Sequence, residues 1–241
     1  MTVTKKIEQE LKNIPDGKIF RYNELPLEPD EFEAAAQALS RLVRSGRLTR
    51  AAKGAFYKPE QTVLGILPPT QDEFLRPYLF KNGRRYAYIT GMSLYNVMGL
   101  TTQFAFTITL ASPSRLKEQT VGRIKIRTVK TYAEVTDENY IYLGFLDSLK
   151  DFNRILDIDK KSAVKVLQSR LKSFSSSELE TLIEYALKYP PRVRAFLGAL
   201  LENIGTSTSL LPLKMSCSAF SQFKIYITPK ILPTATKWHL K

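Results

Sequence analysis

The chain has 241 residues, 44% hydrophobic and 11% aromatic. That composition excludes a disordered chain and leaves room for one large domain, or a small one joined to a larger. Lys and Arg number 36 against 23 Asp and Glu, a formal charge of +13, so a polyanion, a membrane surface or an acidic protein is the expected counterpart.

Charges interrupt the first segment, MTVTKKIEQELKNIPDGK, where a signal peptide needs a continuous apolar stretch, and no run approaches the roughly 18 apolar residues of a membrane span. The lone Cys217 can form neither an internal disulfide nor a zinc site, which suits a reducing compartment. The chain therefore reads as cytosolic, with no membrane partner.

In chain order, Ile7, Leu11 and Ile14 recur at helical spacing until Pro15, Asp16 and Gly17 stop the helix. Residues 18–22 suit a short extended piece and 23–25 a brief helical turn. A second full helix follows, capped by Asp30, with an apolar stripe of Phe32, Ala35, Ala36, Leu39, Leu42 and Val43, and ends at Gly46. Residues 48–50 and 55–58, joined through 51–54, predict a β-hairpin. Helix, short helix, helix and hairpin make the order of a winged helix-turn-helix, assigned to residues 1–62.

Residues 63–241 form the expected second domain. Pro68, Pro69 and Pro77 mark 61–80 as a linker. A helix near 91–98 ends at Gly99, and 104–110 and 122–129 read as strands. The pattern then becomes helical, with segments near 140–155, 160–173, 177–188 and 191–203; Ser175, Ser176 and Ser177 offer caps for the third, and Pro190 and Pro191 suit the start of the fourth. One more strand is expected at 223–228. The fold class is α+β, an N-terminal winged helix followed by a larger mixed α/β domain with a helical C-terminal half.

From Ala34 to Pro59 there is no acidic residue, whereas Arg41, Arg44, Arg47, Arg50, Lys53 and Lys58 are all present. These cations fall on the end of one helix and on the hairpin, where a winged helix meets the DNA backbone. Opposite the apolar stripe lie Ala34, Gln37, Ala38, Ser40, Arg41 and Arg44: small residues permit close approach to the major groove, and Gln37 and Arg41 match adenine and guanine edges. Arg50 and Lys53 suit phosphate or minor-groove contact. A plain solvated helix face and turn is the competing interpretation.

A second basic group, Arg115, Lys117, Arg123, Lys125, Arg127 and Lys130, surrounds the 122–129 strand. It suits a solvated sheet face, an extension of the DNA footprint or an acidic protein partner.

Catalytic machinery is not evident. Asp157 and Asp159 form an Asp-x-Asp pair, but no phosphate loop accompanies them and a cap for the helix starting near Lys160 explains them better. His239 is the single histidine, so a hydrolytic triad is not expected. The protein is read as a non-enzyme without cofactor or metal, and Cys217 as a small core or boundary residue.

The segments AAAQALSRLVRSGRLTRAAKGAFYKP (34–59), YITGMSLYNVMGLTTQ (88–103) and ALKYPPRVRAFLGALLENIG (186–205) together resemble the AbiEi-type antitoxins of bacterial type IV toxin–antitoxin systems. The resemblance covers nearly the whole chain and implies a winged helix that represses its own operon at inverted repeats in double-stranded DNA. It further implies a second domain that counters a co-encoded nucleotidyltransferase toxin without holding it in a stable complex. The alternative is a protein-interaction module whose basic surface meets an acidic partner without binding DNA.

Overall fold

A computed structural model describes residues 2–62, 65–81, 83–114, 118–121 and 124–241. Two compact units divide the chain: Met1–Tyr78 with Gln119–Ile124, and Leu79–Glu118 with Lys125–Lys241.

In the first unit, α1 (Val3–Asn13) buries Ile7 and Leu11, one turn apart on a single face. Strand β1 (Ile19–Arg21) follows, then a 3-10 turn over Tyr22–Glu24 and another over Pro29–Glu31 that leads into α2 (Phe32–Arg44). The entry to α2 is capped by Glu28 and not by Asp30: the Glu28 and Glu31 side chains reciprocally accept each other's backbone N–H groups in a capping box. Helix α2 stops where Gly46 takes φ +73°, a left-handed geometry that suits glycine.

The buried face of α2 is Ala35, Ala38, Leu39 and Leu42. It is rotated from the expected stripe, since Ala36 and Phe32 are exposed and Ala38 is buried. Alanine fits either environment, so the apolar pattern did not fix the phase. Phe32 instead meets Tyr22 edge-on, with ring centroids 5.7 Å apart. Leu39 and Leu42 pack with Ile7, Leu11, Phe20, Leu25, Leu48 and Phe56 in one core.

β2 (Thr49–Ala52) and β3 (Ala55–Tyr57) form the hairpin, and β1 joins it in an antiparallel sheet of order β1–β3–β2. Gly54 closes the tip at φ +71°, and a Cβ there would lie 3.1 Å from the Tyr22 ring, so both the backbone geometry and the close approach call for glycine.

The stretch expected to be a linker carries structure. It holds a hairpin of β4 (Glu60–Thr62) and β5 (Gly65–Leu67), then α3 (Gln71–Leu79) with Pro77 inside it. The Glu73 carboxylate accepts the Ile19 N–H at 3.1 Å, and Phe74 packs on Ile19, Ala55 and Tyr57. These contacts fasten α3 to the first sheet and carry the first unit beyond residue 62.

The second unit begins with a small hairpin of β6 (Phe80–Lys81) and β7 (Arg84–Arg85). β8 (Tyr88–Thr90), α4 (Met92–Val97), β9 (Thr107–Ser112) and β11 (Ile124–Lys130) follow, while β10 (Gln119–Val121) is counted with the first unit. β9 runs antiparallel to β8 and parallel to β11. The strand expected from 104 starts only at Thr107, which leaves Phe104 and Phe106 exposed.

The helices match the pattern: α5 (Tyr140–Asp151), α6 (Lys160–Lys172), α7 (Ser176–Ala186), α8 (Pro191–Ile204) and a short α9 (Leu211–Met215). Ser175 caps α7 in a capping box with Glu178. Residues 223–228 are not a strand; a single bridge joins Phe223 to Leu240. Their chain is nevertheless built in, because Ile225, Ile227, Leu232, Trp238 and Leu240 belong to the main core.

At the centre of this unit lies a buried carboxylate. Asp147 on α5 accepts from Tyr88 Oη at 2.9 Å, Thr90 Oγ1 at 2.8 Å and Lys150 Nζ at 2.7 Å, with Tyr189 Oη at 3.4 Å. Tyr95 Oη donates to Asp151 at 2.8 Å. A buried charge needs such partners, since leaving it unpaired costs several kcal/mol, roughly 3–5. Burial, reinforced by the neighbouring carboxylates, holds the Tyr88, Tyr95 and Tyr189 hydroxyls well above the ordinary tyrosine value of 10.0. Burial pulls the Lys150 ammonium down, but Asp147 outweighs it and leaves the group raised.

Candidate nucleic-acid interface

Helix α2 turns its apolar side inward and so presents a continuous outer row. Glu33, Ala36, Gln37, Ser40, Arg41 and Arg44 line one surface hollow of about 490 Å³. Gln37, Arg41 and Arg44 are exposed and Ser40 is half-buried. The helical repeat places these positions on one face because they are spaced three or four apart. Ala38, expected in this row, lies in the core.

The hairpin adds Arg50 and Lys53, both exposed. The Arg50 guanidinium lies 5.6 Å from the Phe56 ring centroid, a cation–π contact that steadies it without neutralising its charge. Lys53 stands at the tip beside Gly54. The ring of Tyr22 touches Phe32 at the start of α2 and approaches Gly54 at the tip, and so links helix and hairpin.

Two of the expected cations already have acidic partners. Arg47 Nη1 pairs with Glu8 at 2.8 Å and Lys58 with Asp16 at 3.1 Å. Both acids lie on or just after α1, outside the acid-free stretch, so the sequence pattern could not reveal them. The Arg47–Glu8 side chains are 58% and 41% exposed, and a pair so solvated contributes about 0–1 kcal/mol. Arg47 can therefore exchange Glu8 for a phosphate at little cost. Arg41, Arg44 and Lys53 have no ion-pair partner among the described residues.

In the second unit Lys125 and Arg127 on β11 are exposed while Ile126 between them is buried, which is the alternation of a strand with one packed face. Arg127 Nε donates to Thr109 Oγ1 on β9 at 3.0 Å. Lys130 is exposed at the strand end. Arg115, Lys117 and Arg123 lie outside the described residues.

The acids at 157 and 159 do separate work. Asp159 accepts the Lys161 and Ser162 N–H groups as the α6 cap, and the Ser162 hydroxyl together with these N–H groups holds its carboxyl below the ordinary range. Asp157 accepts from the Gln103 side chain. Cys217 is half-buried against the main core, and burial pushes its thiol up. Among the described residues no helix is long and apolar enough to cross a membrane.

Fold and surface thus define a mixed α/β protein of two units, the first of which presents a helix and a hairpin rich in unpaired cations. The chain belongs to the family described as a family of unknown function (DUF6088), whose model matches residues 6–174. Its fold is similar to the crystal structure of the RV2827C protein from Mycobacterium tuberculosis, with TM-score 0.53 and 12% identity over 98% of this chain and 90% of that one. No curated protein matches.

Proposed function

We propose that the first unit is a winged helix-turn-helix that binds double-stranded DNA, with α2 in the major groove and the β2–β3 hairpin as the wing. The observation that carries this reading is the face shared by Gln37, Arg41 and Arg44, exposed on a helix whose opposite side is fully packed. The order helix, strand, short turn, helix and hairpin supports it. Unpaired arginines on such a helix have the reach and the donors for guanine edges and phosphates.

Together with the resemblance of segments 34–59, 88–103 and 186–205, this makes the protein an antitoxin and autorepressor of a type IV toxin–antitoxin operon, with the second unit countering a nucleotidyltransferase-type toxin. Exposed Lys125 and Arg127 favour a second reading, in which an acidic protein partner meets the β11 face.

A mobility shift with the DNA upstream of the protein's own gene, at low and moderate salt, tests the proposal. If Arg41, Arg44, Arg50 and Lys53 each neutralise one phosphate, log affinity falls against log salt with a slope of about −3.6, at about −0.9 per contact. Affinity unchanged between the two salts overturns the reading.

A further inference from the structure

Glu33 is the one acidic member of the hollow on α2. It is exposed, lies in the first turn of the helix, and has no hydrogen-bond or ion-pair partner among the described residues. Of the acids before the helix, Glu31 is tied to Lys6 at 2.7 Å and Glu28 is engaged in the capping box, while exposed Asp30 lies outside the hollow. An unpaired carboxylate on a surface that meets phosphate weakens non-specific attraction, so its presence there calls for a compensating contact.

Along α2, Glu33, Gln37 and Arg41 follow one another at intervals of four. At 1.5 Å per residue the row from Glu33 to Arg41 is about 12 Å long, about three to four base steps at 3.4 Å. That axial separation also keeps Glu33 from quenching Arg41. Residues toward the N-terminus of a recognition helix are the ones that approach base edges. There, a carboxylate accepts from the cytosine N4 amino group, an amide bonds adenine in bidentate fashion, and a guanidinium bonds guanine.

We propose that Glu33 is a specificity-determining residue that reads a cytosine at one end of a short row of bases, beside Gln37 and Arg41, and repels DNA that lacks it. The inference rests on the DNA reading of α2 and adds an acceptor to the cationic face, converting general attraction into discrimination.

The test is selection from a pool of randomised DNA duplexes by the full-length protein, Glu33→Gln and Arg41→Ala, with affinities for the selected and the random duplexes. Glutamine keeps the size of Glu33 but carries both a donor and an acceptor. The expected result is that Glu33→Gln exchanges a cytosine preference for adenine at one position, with a change in relative affinity of about 5- to 150-fold between the two bases. It also binds random duplexes more tightly than wild type. If the carboxylate served only the helix dipole, Glu33→Gln would lower the melting temperature slightly and leave every base preference unchanged.

A wild-type preference profile preserved at all positions in Glu33→Gln, while Arg41→Ala loses selected-sequence affinity, overturns the Glu33 assignment and keeps the DNA reading. If the wild type selects no sequence and Arg41→Ala binds every duplex as wild type does, both fall together.

Discussion

Arg41 and Lys53 carry the same charge into different settings. Arg41 stands on the outer row of a packed helix, and Lys53 at the tip of a two-residue connection. Arg41→Ala should weaken selected-sequence binding by about 1–3 kcal/mol more than random-sequence binding, whereas Lys53→Ala should weaken both alike. Titration of each variant against both duplexes checks this, and equal losses from Arg41→Ala would remove α2 from the groove. In the second unit, an added Cβ on Gly198 of α8 would overlap the ring of Trp238. Gly198→Ala should therefore cost about 1–3 kcal/mol and lower the melting temperature by several degrees, while leaving the DNA affinity of the folded protein unchanged.

Elements gain their stability from what they bury. Helix α5 brings Asp147 against β8 and the α7–α8 connection, where Tyr88, Thr90, Tyr189 and Lys150 surround its carboxylate. Asp147→Ala should destabilise the protein by about 3–5 kcal/mol, because Lys150 and the hydroxyls lose their acceptor; chemical denaturation measures the loss. Tyr88, Tyr95 and Tyr189 are raised in the fold above the unfolded value of 10.0. The unfolded chain thus ionises first, so the stability they contribute is fully present below pH 10 and is lost as pH rises beyond it. Melting temperatures between neutral pH and pH 11 should fall above pH 10, and Tyr88→Phe should fall less steeply in that window.

At the scale of the whole molecule, cationic surfaces occur in both units, on α2 with its hairpin and on β11. Reversing Lys125 and Arg127 to glutamate tests what the second surface serves. Both side chains are exposed, so the fold should persist while a polyanion is repelled. We expect operator affinity to be retained and growth rescue against a co-encoded nucleotidyltransferase toxin to be lost. Loss of operator affinity with rescue intact would instead place β11 in the DNA footprint. In either case Arg41→Ala in the same assay separates the two units' contributions.

The sequence by itself determined the local elements whose signals are short-range. The serines at 175–177, Asp159 before Lys160, Pro191 at a helix start and Gly46 after one set the helix ends through neighbouring backbone groups, and the acid-free run from Ala34 to Pro59 marked the cationic helix and hairpin. The tertiary structure alone decided whatever depended on distant partners. It fixed the phase of α2, since an alanine is neutral between core and solvent until Ile7, Leu11 and Leu48 arrive. It gave Arg47 to Glu8, placed unpaired Glu33 beside Gln37 and Arg41, and made an anchored hairpin and helix from a proline-marked stretch through Glu73 and Ile19. It also gathered Tyr88, Tyr189 and Lys150 around Asp147. Contacts between residues far apart in the chain leave no period and no spacing in it, because what selects them is the volume and charge they share once folded.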